Sequence, residues 1–232
     1  MLNAVRRRLP LGIRADAVEL LDSGGLSLPE VEANLADLAR LNRLPGGTAA
    51  SIAGIRRLIG AGNAARIVDV GTGRGDMPLA FAALGWDVVA VDSNPDVLVV
   101  ARRELARDGI EAVEADVRAL PFADGAFDVA HASLLLHHLD PAAAVAALRE
   151  LSRVARRGVV VNDLRRGWMP LVASAVSVAV LARSRVTRRD GIASARRSYT
   201  LDELDGLLAD AGLTRRWRFG AWMPRVVTAA SA

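Results

Sequence analysis

The chain has neither cysteine nor lysine. Without cysteine there are no disulfides and no thiolate chemistry. Without lysine, every basic side chain is an arginine, whose pKa exceeds about 12. A formal net charge of only +4 therefore coexists with an isoelectric point near 10.9. That basicity is a bias of composition and carries little weight as a sign of a nucleic-acid partner. Aromatic residues make up only 4%, with a single tyrosine, Tyr199, and there are three histidines. Long apolar runs are missing too. The longest uncharged stretch, GWMPLVASAVSVAVLA at 167–182, falls short of the about 20 residues a spanning helix needs, and Pro170 stands near its start. It reads as a buried or lid helix, with an interfacial role left open. The N-terminus, MLNAVRRRLPLGIRADAVELL, has the arginines of a secretory signal, but Arg14, Asp16 and Glu19 interrupt any apolar core. A cytoplasmic protein is expected.

What remains is a chain that is 52% hydrophobic over 232 residues, enough for one α/β domain with a small elaboration. From residue 66 onward, β-type apolar runs alternate with helical patterns, which predicts a parallel sheet covered on both faces. The strands expected are 66–71, 87–92, 111–116, 127–133 and 158–163. Two more, about 213–219 and 222–229, are close enough for an antiparallel hairpin at the sheet edge. Helices are expected over 76–84, 95–107, 141–155 and 201–211. Residues 1–60 are expected to form a helical cap, with the helical spacing of PEVEANLADLARLNRL inside it. The body then covers 61–232, and residues 164–199 are a lid-like insertion after the fifth strand.

The stretch VDVGTGRGD at 68–76 places Gly71, Gly73 and Gly75 directly behind the first strand. Three glycines in five residues let a backbone approach a ligand closely. The dinucleotide fingerprint requires a further glycine where Asp76 stands. The second strand ends in Asp92, whose carboxylate can accept both hydrogen bonds of a ribose diol. Ser93 or Asn94 is better placed to cap the following helix. The third strand ends in Asp116-Val117, where a carboxylate and an amide suit an adenine edge.

VDVGTGRGD, VVAVDSNP and EADVRALPFADGAFDVAHASLLLHHL together resemble the successive motifs of class I S-adenosylmethionine-dependent methyltransferases, over residues 66–163 and in the right order and spacing. The resemblance implies a Rossmann-like, seven-stranded, mostly parallel sheet with an antiparallel last strand. It implies S-adenosylmethionine as cofactor and S-adenosylhomocysteine as product. It places Asp69, Gly71, Thr72, Gly73 and Gly75 at the methionine part, Asp92 with Ser93 at the ribose, Asp116 with Val117 at the adenine, and Ser133 beside the cofactor. LARLNRLPGGT at 38–48 is similar to the segment before the sheet in quinone-precursor methyltransferases. Asn42 or Arg43 would then close over the cofactor carboxylate, with an amphipathic cap helix as the alternative.

After the fourth strand, where amine methyltransferases of nucleobases carry a polar-proline-aromatic motif, this chain has Ser133-Leu134-Leu135-Leu136. That apolar wall favours a small, largely apolar acceptor over nucleic acid. His137 and His138 follow. A phenol with a pKa near about 10 must lose its proton to attack, and a histidine near about 6.5 is a suitable base. His137 lines up with the catalytic histidine of phenolic O-methyltransferases, although the aspartate–tryptophan that follows it there is missing. His131 is expected to be a packed strand residue. Asp163 could orient an acceptor hydroxyl or pair with an arginine, and no metal site is expected. The leading reading is O-methylation of a phenolic or quinol hydroxyl. Alternatives are C-methylation of an activated ring, or a non-catalytic cofactor-binding protein of the same fold. A nicotinamide oxidoreductase is disfavoured by Asp76 and by the lack of a Tyr-x-x-x-Lys pair. A membrane-surface contact and a homodimer stay open.

Overall fold

The computed structural model describes residues 14–15, 19–43, 46–220 and 223–232. Most of the N-terminal stretch, Leu44–Pro45 within LARLNRLPGGT, and the start of the last expected strand lie outside the described residues. Seven strands form one sheet: β1 (Arg66–Val70), β2 (Asp87–Asp92), β3 (Glu111–Glu114), β4 (Phe127–Ser133), β5 (Ala155–Leu164), β6 (Thr214–Phe219) and β7 (Arg225–Ser231). Their order is β3-β2-β1-β4-β5-β7-β6. β7 runs antiparallel to both β5 and β6, while β1 to β5 pair in parallel. The hairpin thus inserts its second strand beside β5 and leaves β6 at the edge.

The described helices are α1 (Leu20–Ser23), α2 (Leu28–Arg43), α3 (Gly47–Ile59), α4 (Asp76–Ala82), α5 (Pro95–Leu105), α6 (Pro141–Val154), α7 (Trp168–Leu181), α8 (Arg185–Arg197) and α9 (Leu201–Asp210). Alternation along the strands feeds two cores. Val68, Val70, Val89, Val91, Val159 and Val161 turn one way, against Ala144, Leu148 and Leu151 of α6 and Leu204 and Leu208 of α9. Ile67, Val88, Val129, Val160 and Val227 turn the other way, against Ile55 and Ile59 of α3 and Phe81 of α4. α3 is thus one of the helices covering the sheet. α7 and α8 pack against each other and against α2, on the side of the sheet where the parallel strands end.

Several boundaries differ from the sequence reading: β7 runs Arg225–Ser231 where 222–229 is expected, and two strand ends bear on the site. β5 begins at Ala155, because the chain passes from α6 straight into pairing with Phe127 of β4. β3 stops at Glu114, so Asp116 and Val117 lie in the loop beyond it. Among the described residues no helix is long and apolar enough to cross a membrane.

Candidate active site

The glycine loop leaves β1 with Gly71, Gly73 and Gly75 at φ 72°, 56° and 90°, a region that side-chain-bearing residues enter at a cost. Two loop amides, those of Gly71 and Thr72, donate to the Val91 carbonyl of β2 at 2.9 and 3.0 Å. Beneath the loop, the buried Asp69 accepts from Thr72 Oγ1 at 2.7 Å and pairs with His131 Nδ1 at 2.6 Å. His131 continues to Ser51 at 2.8 Å, which in turn accepts from Asn162. His131 is therefore the packed strand residue expected, with a further part in holding Asp69.

A cavity of about 550 Å³ opens above the strand ends, within the usual span of small-molecule sites. Asp69, Gly71, Thr72, Gly73, Asp92, Ser93, Asp116, Val117 and Ser133 all border it. Gly75 is absent from this wall: it precedes α4, and a Cβ there would stand 2.7 Å from Leu105. Its role is backbone geometry and close packing. Asp92 accepts from the Gly73 amide at 3.1 Å and the Asn94 amide at 3.0 Å. Burial raises its pKa against these hydrogen bonds. Asn94 caps α5 through the amides of Asp96 and Val97, as the sequence suggested for Ser93 or Asn94. Asp116 is half-exposed and clasped by Arg118, whose hydrogen bond lowers its pKa. Asn42 also reaches the cavity wall, where it donates to Asp76 and accepts from Arg225.

A smaller cavity of about 110 Å³ lies beside the first, roofed by α2, α7 and α8. Leu21, Leu38, Leu134 and His138 belong to both walls. Leu134 has φ 54°, which marks it as a strained wall residue between the two spaces. His137 faces the smaller cavity and is buried. Asp163 holds it twice: Oδ1 lies 2.6 Å from Nδ1, and Oδ2 accepts the His137 amide at 3.1 Å. On the other ring nitrogen, Nε2, stands Glu19 at 3.6 Å. Burial alone would lower the His137 pKa, but the charge and hydrogen bond of Asp163, then those of Glu19, outweigh it and raise the pKa to about 9. Glu19 responds in the opposite sense. Burial would raise it, yet the hydrogen bond from His137, the charges of both histidines and the Ser194 hydroxyl bring it down to about 2. At neutral pH the group is a carboxylate–imidazolium–carboxylate array. The two carboxylates favour the protonated ring, whereas the sequence reading has His137 as the possible base.

Glu19, His137 and His138 offer ligand atoms within 4.8 Å of one another, a span that fits a metal ion. Their charge is already matched, however, since Glu19 is paired with the imidazolium and accepts from Ser194 at 2.7 Å. On the opposite wall, Asn34 reaches Thr187 Oγ1 through one amide atom at 3.0 Å. The other amide atom of Asn34 and the hydroxyl of Ser174 are buried without a partner among the described residues. Sequence reasoning missed Glu19, Asn34, Ser174 and the His137–Asp163 pairing. The only available signal was Asp163 at the end of a strand.

Residues 67–158 match a family model described as a methyltransferase domain. The chain is similar to a demethylmenaquinone methyltransferase of Beutenbergia cavernae, 35% identical over 50% of this chain and 48% of that protein. It is also similar to a malonyl-[acyl-carrier protein] O-methyltransferase of Erwinia pyrifoliae, 35% identical over 49% of this chain and 43% of that one. The chain spans half or less of the length of the curated relatives it matches. Among solved structures, a SAM-dependent methyltransferase from Aquifex aeolicus superposes with a TM-score of 0.60 at 17% identity, over 88% of this chain and 98% of that one. Residues 67–158 thus carry a methyltransferase domain match, set in a seven-stranded sheet whose fold is shared with solved methyltransferase structures.

Proposed function

We propose that the chain methylates a hydroxyl of a small, largely apolar phenol or quinol seated in the smaller cavity. The observation that carries this reading is the shared wall: Leu134 and His138 line both the cofactor-sized cavity and the apolar one, with His137 on the apolar side. In this reading Asp92 with Ser93 holds the ribose, Asp116 and Val117 the adenine, and Gly71 to Gly73 the methionine part. When bound, S-adenosylmethionine supplies a methyl group on a sulfonium centre for in-line transfer. The division into a cap of residues 1–60, a body of 61–232 and a lid of 164–199 belongs to the same proposal, with α2, α7 and α8 excluding water.

His137 is the residue assigned to the acceptor oxygen. Asp163 fixes Nδ1 and leaves Nε2 directed at Glu19. An acceptor hydroxyl that takes the place of Glu19 at Nε2 removes one of the two charges that hold the proton. The Nε2 proton passes to the displaced Glu19 carboxylate, and the neutral ring then takes the proton of the acceptor hydroxyl. His138, at the shared wall, positions the acceptor against the cofactor. The ring of the acceptor also explains the two unpartnered groups. A second hydroxyl, both donor and acceptor, would satisfy Ser174 and the open amide atom of Asn34. The cavity is of the same order as the about 150 Å³ space that takes benzene. A quinol therefore suits it better than a simple phenol.

The test offers a hydroquinone and the matching monohydroxy phenol with S-adenosylmethionine, and reads the product by mass spectrometry and NMR. Expected is an O-methyl product, with kcat/KM for the hydroquinone about tenfold higher, a preference reduced in Ser174→Ala. A ring-methylated product would assign the same proton transfer to C-methylation. No product from either acceptor, in protein that binds S-adenosylhomocysteine, would overturn the acceptor class.

A further inference from the structure

α7 runs from Trp168 to Leu181 without a charged residue. Pro170, Leu171, Ser174 and Val178 are its buried positions, and Ser174 and Val178 line the smaller cavity. Trp168, Val172, Val176 and Val180 recur every fourth residue on the opposite face, and all are exposed, Val176 by 58% and Val180 by 75%. Met169 and Ile192 extend this surface. α8 follows after a short turn and repeats the arrangement. Its buried Thr187, Asp190 and Ser194 line the cavity, while Arg185, Arg188 and Arg189 are exposed on the outer side, with Arg183 in the turn. A Cβ at Gly191 would stand 2.6 Å from Val178, so the glycine lets the two helices lie close as one layer.

The charge on this layer has one sign. Between residues 168 and 197 there are six arginines and one acid, and four of the arginines, Arg183, Arg185, Arg188 and Arg189, are exposed. That acid, Asp190, is buried and accepts the Leu20 amide. An apolar stripe beside a cationic border, with a tryptophan at one end, has the composition of a helix lying in a lipid interface. Its charge is complementary to anionic headgroups. A second copy of the chain is the poorer occupant, because a two-fold contact would bring the same arginines against one another.

We propose that the outer face of α7 and α8 docks on an anionic lipid bilayer. The helix that touches the membrane also forms the roof of the smaller cavity, so an acceptor dissolved in the bilayer reaches its site beneath α7. That last step rests on the function proposed above, whereas docking itself does not.

The test is flotation of the purified chain with vesicles of phosphatidylcholine alone and of phosphatidylcholine mixed with phosphatidylglycerol. Titration with S-adenosylhomocysteine on the same preparations follows the cofactor site separately. Expected is flotation with the anionic vesicles, weakened by salt. Loss should be about fivefold for each arginine removed in Arg185→Ala and Arg189→Ala, and at least about tenfold in Val172→Glu with Val176→Glu. S-adenosylhomocysteine binding should be unchanged in all of them. Equal flotation on neutral and anionic vesicles, or no effect of these substitutions, would overturn the proposal. So would a dimer in sedimentation equilibrium that Val176→Glu dissociates while no vesicle is bound. Loss of S-adenosylhomocysteine binding in every preparation would instead count against the cofactor site and leave the flotation result standing.

Discussion

The two cavities are built in opposite ways. On the cofactor side, each polar group stands at, near or just beyond the end of its own strand, and groups close in sequence or on the adjacent strand fix it. Asp92 is held by the amides of Gly73 and Asn94, and Asp69 by Thr72 three residues on and by His131 on the adjacent strand. On the acceptor side, Glu19, Asn34, His137, Asp163 and Ser174 come from five separate parts of the chain and meet mainly through side chains, with the His137 amide on Asp163 as the backbone contact. The first arrangement is local and rigid and serves any reaction of its cofactor. The second can change by substituting one helix without disturbing the sheet, which is where specificity for an acceptor can diverge.

The sharpest way to separate the two halves is to break one and watch the other. His137→Ala should leave S-adenosylhomocysteine affinity within about threefold and lower turnover by about 10²–10⁴-fold. Asp163→Asn should act in the same direction and less severely, because the ring loses its anchor but remains. Equal losses of binding and turnover in His137→Ala would mean that the two cavities are not independent. The converse substitution, Asp92→Ala, should weaken S-adenosylhomocysteine by about 100-fold, the value of two hydrogen bonds to a charged group. Calorimetry checks it, and a change under fivefold would remove Asp92 from the ribose site.

The same contrast explains what the sequence discloses. Strand ends and glycine loops follow from patterns a few residues long, so β1 to β4, the loop at 71–75 and Asp92 can be read directly. Gly75 shows the limit even there. Its spacing is that of a ligand-contacting glycine, but its left-handed backbone and the Leu105 side chain behind it give it a packing role. Asp116 is another case, since Arg118 two residues on competes for the carboxylate. On the acceptor side nothing in the sequence ties Glu19 to His137, 118 positions apart, and the helices that bring Asn34 opposite Ser174 depend on packing. The ordinary pKa of histidine suggests a base; two buried carboxylates, only one of which a strand pattern suggested, push the pKa of His137 upward.

A milder perturbation loosens the lid alone. Asp37 of α2 is fully buried. It accepts the amides of Arg183 and Ser184 at 2.8 and 2.6 Å and also pairs with Arg40. It thereby ties α2 to the turn between α7 and α8. Asp37→Ala leaves two partly buried amides without this partner and should destabilise the fold by about 1–3 kcal/mol in urea unfolding. The KM for the acceptor should rise about tenfold while S-adenosylhomocysteine affinity stays nearly constant. A matching rise for the cofactor would mean that the lid also shapes the larger cavity.

The smallest expected effect lies in pH, and it too discriminates between the halves. Burial raises the pKa of Asp92 above 3.8, with the Asp69 charge adding to the rise. With Asp92 holding the ribose as proposed, S-adenosylhomocysteine affinity should fall as the pH drops through that raised value, earlier than an ordinary aspartate would cause. Stability of the unliganded chain carries the opposite sign. A raised acid binds its proton more tightly when folded, so its contribution is full below 3.8 and is lost as pH rises through the folded value. Bound cofactor should reverse that trend, because hydroxyls donating to the carboxylate lower its pKa. Titrations at a series of acidic pH values, compared between the wild-type chain and Asp92→Asn, test this. The wild-type affinity should decline toward acid and the variant's should stay flat. A decline of equal size in Asp92→Asn would place the titrating group elsewhere in the cofactor cavity, with Asp76 the next candidate, since burial raises its pKa as well.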